Sequence, residues 1–183
     1  GIYNQAQCDA WVRIVDFCHA NSAGKLCLQL GHAGRKGATK VMWEGQNQPV
    51  EEGGWPLLSA SAVAYSNENQ VPEALDRAKM DEVLGQYRRA AERALEAGFD
   101  MLEIHGAHGY LPSSFISPIS NIRDDEYGGD LAGRMRFPLE IVDAVRRVMP
   151  EYMPFGVKIS ASDMTEGGNT IEDSIEVSRM LKA

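Results

Sequence analysis

Three short apolar strands, separated by amphipathic helices, constrain the fold of this chain more than any other feature. Alternation of apolar and polar residues predicts strands over Lys25–Leu30, Asp100–His105 and Phe155–Ser160. Strands that alternate with helices pair in parallel through right-handed crossovers. The order therefore predicts an α/β fold, either an open sheet or a barrel.

Apolar residues at helical spacing mark the segments between the strands. Pro138 belongs in the first turn of its helix or at a kink, because it cannot donate a backbone hydrogen bond. The predicted helices are Gln7–His19, a second from Asp76 as N-cap to Gly98, a third that ends at Met149-Pro150, and a fourth near Thr170, which with Asp173 forms an acidic relative of the capping box.

Two long connections, from Gly31 to about Leu75 and from Gly106 to about Leu131, each follow a strand and precede a helix. Long loops inside a compact domain are usually functional or mobile. Barrels and doubly wound sheets both place their active sites in such loops. We therefore expect the functional site at the carboxyl ends of the strands.

Composition excludes several classes of function. The 183 residues are 44% hydrophobic and 24% charged, as in globular domains. A net charge of −8 argues against a nucleic-acid partner. No apolar run long enough for a membrane span and no signal peptide are seen, and the three cysteines lack metal or disulfide spacing. The expectation is a cytoplasmic protein with neither nucleic acid nor membrane as partner.

The strand pattern brings three polar residues to one face near the strand ends: Gln29, His105 and Lys158. A core that only packs would carry aliphatic residues there, since buried polar groups are costly unless paired. One interpretation is a ligand site. The alternative is that these residues satisfy one another inside a barrel, with Glu103 as the partner of Lys158.

A turn with two histidines follows the second strand. His105, His108 and Tyr110 are separated by glycine-bearing steps and are suited to bind a carbonyl oxygen and deliver a proton. The same histidines could instead be half of a metal site in a metal-dependent barrel hydrolase. The chain has only His19 and His32 besides, and no helical HExxH, so no metal is predicted.

Other candidate features are given structural interpretations. Trp43, Trp55 and Tyr65 in the first long loop favour a small satellite core over an aromatic wall above the site. The segment Asn121–Gly129 is typical of a tight loop with paired charges, since its glycines fit neither phosphate-binding motif.

Several long motifs resemble the Old Yellow Enzyme family of FMN-dependent ene-reductases. They are Leu28–Arg35 (LQLGHAGR), Ala97–Leu111 (AGFDMLEIHGAHGYL), Phe115–Arg123 (FISPISNIR), Asp125–Gly129 (DEYGG) and Arg134. Ser160–Asp163 favours the xenobiotic-reductase branch. A weaker resemblance is to the oxidoreductase half of bifunctional salicylyl-CoA hydroxylase-type proteins.

The resemblance implies a (β/α)8 TIM barrel of which residues 1–183 form one incomplete domain, approximately strands three to five with their helices. We also expect a fragment because the sequence has no initial methionine and ends at Ala183 inside a predicted helix. Three strands of a barrel leave two open edges. We therefore expect a homo-oligomer, or pairing with the missing remainder of the barrel.

The resemblance also implies a role for each motif residue. Gln29 would bind the pyrimidine edge of FMN, His105 and His108 would hold the substrate carbonyl oxygen, and Tyr110 would donate a proton to the α-carbon. Lys158 stands where the family usually has arginine beside the flavin, which keeps the positive charge and loses the two-pronged donor geometry.

The implied activity is NAD(P)H-dependent reduction of an activated alkene, an α,β-unsaturated carbonyl compound, through FMN. The family's first-strand flavin contacts and its phosphate-binding loops have no counterpart in this sequence. A catalytically inactive structural fragment is therefore a further alternative.

Overall fold

The computed structural model describes residues 1–45, 48–50 and 52–182. The predicted domain 1–183 and the first long loop thus include residues that lie outside the described part. A 3₁₀ turn spans Gly34–Lys36. The helices and strands are α1 Gln5–Asn21, β1 Cys27–Leu30, α2 Met42–Gly45, β2 Leu58–Ser59, β3 Glu73–Ala74, α3 Arg77–Glu96, β4 Met101–Gly106, α4 Leu111–Ile116, α5 Leu131–Arg146, β5 Phe155–Ile159 and α6 Ile171–Lys182.

The main sheet is parallel throughout and has the order β1-β4-β5, as the alternation of helices and strands predicts. Its register places Gln29 beside Glu103 and His105 beside Lys158. The short strands β2 and β3 form a separate parallel pair at the two ends of a loop segment. Polar residues from three strands therefore reach the same face of one sheet.

One face of the sheet packs on the helices and the other is uncovered. Leu102 and Ile104 of β4 are fully buried in the apolar core, whereas Gln29 and Lys158 are exposed. This alternation follows from the two-residue period of a strand. The polar parity predicted from the sequence is confirmed, and it lines the face that a closed barrel would enclose.

The helix ends are formed by the predicted side chains. Asp76 caps α3 by accepting a hydrogen bond from Lys79 N at 2.8 Å. Before α6, Asp173 accepts from Thr170 N at 2.9 Å and Thr170 Oγ1 accepts from Asp173 N at 3.2 Å. The capping box is confirmed, because these bonds satisfy amides that a helix start leaves unpaired.

The structure differs from the sequence-based expectations in the third predicted helix and in the second long loop. Pro138 lies inside α5, which begins at Leu131, so the first-turn alternative is wrong and a kink at Pro138 stays a prediction. Helix α4 was missed within the second long loop, because all six of its residues are buried and leave no amphipathic period to detect. In the described part of the chain, no helix combines the length and apolar character needed to cross a membrane.

Candidate functional site

The uncovered face of the sheet carries an amide next to a carboxylate. Gln29 donates a hydrogen bond from Nε2 to Oε1 of Glu103, its neighbour across the strands. The alternative that paired Glu103 with Lys158 is therefore wrong, because Glu103 pairs with Gln29. Lys158 makes no hydrogen bond or ion pair with another described residue; it is exposed and lies opposite His105 in the strand register. A cation without a carboxylate partner remains available to a ligand.

Three rings cluster at the carboxyl end of β4. The ring centroid of His105 lies 5.0 Å from that of His108 and 4.8 Å from that of Tyr110, with interplanar angles of 80° and 78°. Both contacts are edge-to-face, a favourable arrangement for aromatic rings. The structure therefore brings together the three residues that the motif had predicted to act together.

Hydrogen bonding and electrostatics define the state of His105. Its Nδ1 accepts a hydrogen bond from Ala107 N at 3.2 Å. Burial, followed by the nearby charges of His108 and Lys158, lowers the pKa of His105 below its usual value. A neutral imidazole whose Nδ1 accepts must carry its proton on Nε2. His105 can thus offer one N–H donor to a carbonyl oxygen.

The turn that carries these rings has an unusual backbone. His108 has φ +61° and Gly109 has φ +75°. The left-handed region costs a non-glycine residue about 1–2 kcal/mol. Hydrogen bonds offset that cost: His108 N donates to Ser160 Oγ at 3.2 Å, and Gly109 N donates to Ser113 Oγ at 3.2 Å. Unfavourable backbone conformations held in this way are common at functional sites.

The loop after β1 packs directly on this turn. Leu111 N donates to the carbonyl oxygen of His32 at 3.0 Å, and Gly34 N donates to His32 Nδ1 at 3.0 Å. Burial lowers the pKa of His32, so the imidazole is neutral and can accept the hydrogen bond from Gly34 within the loop. Gly34 has φ +57°, and a Cβ there would lie 2.8 Å from Leu111 N. The close approach therefore requires glycine.

The segment after α4 is the tight, charge-paired loop predicted from its sequence. Asn121 donates from Nδ2 to the carbonyl oxygens of Phe115 and Tyr127, both at 2.8 Å. Arg123 pairs with Asp125 and donates to main-chain carbonyl oxygens of neighbouring segments. These bonds hold the loop against α4 and against the segments that carry Ala60 and Leu75.

The aromatic residues of the first long loop do not form a satellite core. Trp43 is 84% exposed and Trp55 is 58% exposed. Tyr65 instead faces the site, with its ring 4.5 Å from Lys36 Nζ. Its position supports the aromatic-wall interpretation at that residue.

Within the part of the chain that the structure describes, no third metal ligand joins the histidine pair. Across residues 1–45, 48–50 and 52–182, the one group of three His, Cys, Asp or Glu side chains close enough to share an ion is Cys8, Asp9 and Glu96. Burial raises the pKa of the Cys8 thiol, which donates to the carbonyl oxygen of Arg93 at 3.3 Å. The geometry thus gives the metal-dependent hydrolase alternative no support at His105 and His108.

Sequence reasoning missed Lys36, Glu103 as the partner of Gln29, and Ser160 as an acceptor for the turn. Lys36 follows the LQLGHAGR motif directly, yet nothing in its spacing indicates that it reaches the second loop. The pairing of Gln29 with Glu103 was predictable only once the register was known.

The sequence matches the NADH:flavin oxidoreductase / NADH oxidase family over residues 1–183. It is 42% identical over 171 residues to an NADH:flavin oxidoreductase of Gibberella zeae, covering 91% of this chain and 41% of that protein. It is 39% identical over 183 residues to an NADPH dehydrogenase of Listeria welshimeri, covering 100% of this chain and 49% of the relative. The chain spans about half the length of the curated relatives it matches, or less.

Solved structures give the same answer for the fold. Morphinone reductase in complex with tetrahydroNAD superposes with a TM-score of 0.80 at 30% identity, over 99% of this chain and 53% of that one. A 2-naphthoyl-CoA reductase complex superposes at 0.85, but at 24% identity it supports the fold alone. The three parallel strands are therefore part of a TIM barrel, and the prediction of FMN with NAD(P)H agrees with the family's cofactors. The chain belongs to the NADH:flavin oxidoreductase / NADH oxidase family.

Proposed function

We propose that this chain supplies the central part of an FMN-dependent ene-reductase that reduces an α,β-unsaturated carbonyl compound. The cluster of His105, His108 and Tyr110 at the end of β4 is the observation that carries the proposal. It places hydrogen-bond donors and a phenol at one end of a strand whose inner face is polar and uncovered. Family membership supports a flavin reaction, and the ring cluster supports a carbonyl substrate.

The residues on the uncovered face fit the isoalloxazine part of FMN. Gln29 presents an amide that can bond to the pyrimidine edge, and Glu103 fixes its orientation through Nε2. Lys158 presents an unpaired ammonium suited to negative charge on a reduced flavin. A planar ring can therefore rest against this face.

When bound, FMN supplies a hydride to the β-carbon of the alkene after reduction by NAD(P)H. The neutral His105 donates from Nε2 to the carbonyl oxygen, and His108 lies close enough to donate to the same atom. Both bonds strengthen as negative charge develops on that oxygen, which stabilises the transition state. Tyr110 then gives its phenolic proton to the α-carbon, acting as general acid.

The substitution Tyr110→Phe tests this assignment. In the flavin-loaded enzyme we expect alkene reduction to slow by roughly 10²- to 10⁴-fold, the range for loss of a general acid. Reduction of the flavin by NAD(P)H should stay within about twofold, because it needs no proton from Tyr110. Stopped-flow spectroscopy at the flavin absorption band separates the two half-reactions. Tyr152→Phe, at a tyrosine that is 88% exposed, is the matched control.

Equal slowing of both half-reactions in Tyr110→Phe would reject the role of proton donor. A colourless preparation that contains stoichiometric zinc would favour the metal-dependent hydrolase. A protein that binds neither flavin nor metal would favour the inactive structural fragment.

The partners of the sheet are also proposed. In the described chain β1 and β5 each pair with β4 alone, so each has one open edge. We propose that the remainder of a barrel or a second copy covers these edges. Light scattering that finds a stable, flavin-loaded monomer of this chain would contradict the proposal. The cytoplasmic location stays a prediction.

A further inference from the structure

We propose that Lys36 is a positioning residue for the proton donor, and that its ammonium ties the loop after β1 to the turn formed by His108, Gly109 and Tyr110. The proposal rests on the proposed function, because it assigns Lys36 to the proton-donating half of that reaction. It is carried by contacts that Lys36 makes across the two long loops.

The first observation is the hydrogen bond from Lys36 Nζ to the carbonyl oxygen of His108, at 3.0 Å. That carbonyl belongs to the residue with φ +61°. A charged donor makes a stronger hydrogen bond than a neutral one. The bond thus favours the left-handed conformation from which the chain turns toward Tyr110.

The second observation concerns the rings around the ammonium. Lys36 Nζ lies 4.8 Å from the ring centroid of Tyr110 and 4.5 Å from that of Tyr65. Both distances are within the range of cation–π attraction. The Tyr110 ring therefore contacts both the ammonium of Lys36 and the ring of His105, the latter at 4.8 Å between centroids.

The third observation is the support behind Lys36. Its neighbour Arg35 is buried and donates from Nη1 to the carbonyl oxygens of Val63 and Ala64, both at 3.2 Å. These bonds fix the segment that carries Tyr65. The Tyr65 ring in turn packs on Gly109, where a Cβ would lie 3.1 Å from Cε2. Arg35 thus holds the segment that carries Tyr65, Tyr65 packs on the turn, and Lys36 bonds to the same turn.

Within the described part of the chain, the ammonium of Lys36 forms no ion pair. It donates to a carbonyl oxygen and lies over two aromatic rings. Lysines on a solvated surface need no such arrangement, and ordering a lysine side chain costs conformational entropy. The role that best explains the half-buried position of Lys36 is orientation of the turn and of the Tyr110 ring.

The experiment compares Lys36→Met, which removes the charge and the donor, with Lys36→Arg, which keeps both. Lys182→Met removes one positive charge from the end of α6 and serves as the matched control. Amide hydrogen exchange is measured for the turn, and the two half-reactions are measured in the flavin-loaded enzyme with 2-cyclohexenone as the alkene. Circular dichroism checks the fold, and Lys36→Gln replaces Lys36→Met if the latter does not fold.

We expect the amides of residues 109 and 110 in Lys36→Met to exchange about 10-fold faster or more, as for a lost hydrogen bond to a charged group. Alkene reduction should slow by about 10-fold or more without a matching change in flavin reduction by NAD(P)H, and Lys36→Arg should recover most of the rate. Unchanged exchange in the turn, or equal slowing of both half-reactions, would overturn the proposal. If the unmodified enzyme reduces its flavin and no enone, the proposed function fails, while the exchange measurement still decides whether Lys36 holds the turn.

Discussion

Replacement of Gly34 by alanine tests how closely the two site loops must approach. A Cβ at Gly34 would lie 2.8 Å from Leu111 N and 3.0 Å from Leu111 Cα, and both contacts are with backbone that cannot rotate away. The residue also has φ +57°. We expect ~1–2 kcal/mol of destabilisation from the left-handed backbone, less ~0.4–1 kcal/mol from the reduced freedom of the unfolded chain. Overpacking against Leu111 adds ~1–3 kcal/mol.

A matched control isolates the packing part of this sum. Gly129 has φ +71°, and a Cβ there would meet no atom within 4 Å. Gly129→Ala should therefore be destabilised only by the cost of the left-handed backbone. Gly34→Ala should have a free energy of unfolding lower than that of the control by ~1–3 kcal/mol. Urea unfolding followed by far-ultraviolet circular dichroism measures the free energy of unfolding for both variants. Equal values would refute the claim that the first loop and the start of α4 are in close backbone contact.

Three further predictions concern the electrostatics, the core and the site. The pKa of Asp100 is held well below its usual range by hydrogen bonds from the backbone amide of Leu26, from Lys25 and from His19. The ionised carboxylate therefore stabilises the folded protein above the pKa of the unfolded state, and this stabilisation is lost as the pH falls through the lower pKa of the folded state. Asp100→Asn should therefore destabilise the protein at pH 7 by ~1 kcal/mol, and thermal melts should show the difference shrinking below about pH 3.9; a difference independent of pH would contradict this. Phe115 is fully buried with its ring 4.7 Å from that of Phe137, and Phe115→Ala should cost ~3–5 kcal/mol in urea unfolding; a loss below about 1 kcal/mol would mean that the core is not packed as described. His105→Ala or His108→Ala should each weaken binding of a phenolate ligand to the flavin-loaded enzyme by about 10- to 100-fold in a spectroscopic titration, and unchanged affinity would remove that histidine from the oxygen site.

Much of the fold was determined by local sequence. The two-residue alternation in β4 places Leu102 and Ile104 on one face and Glu103 and His105 on the other. The hydrophobic effect then buries the face that carries Leu102 and Ile104. Asp76, Thr170 and Asp173 mark helix starts, because a side-chain oxygen next to a free amide forms its bond wherever the rest of the chain lies. Such features depend on neighbours a few residues away and can be predicted without a tertiary structure.

The tertiary structure decided which distant side chains meet. The register of β1 against β4 pairs Gln29 with Glu103, whereas the sequence had left Glu103 beside Lys158 as an alternative. Helix α4 forms because its surroundings bury it on every side, and no local period marks it. Lys36 reaches His108 across 72 positions of the chain only because Gly34 lets the first loop pack on the second. Contacts of this kind depend on the closure of long loops and on strand register, which short-range patterns do not encode.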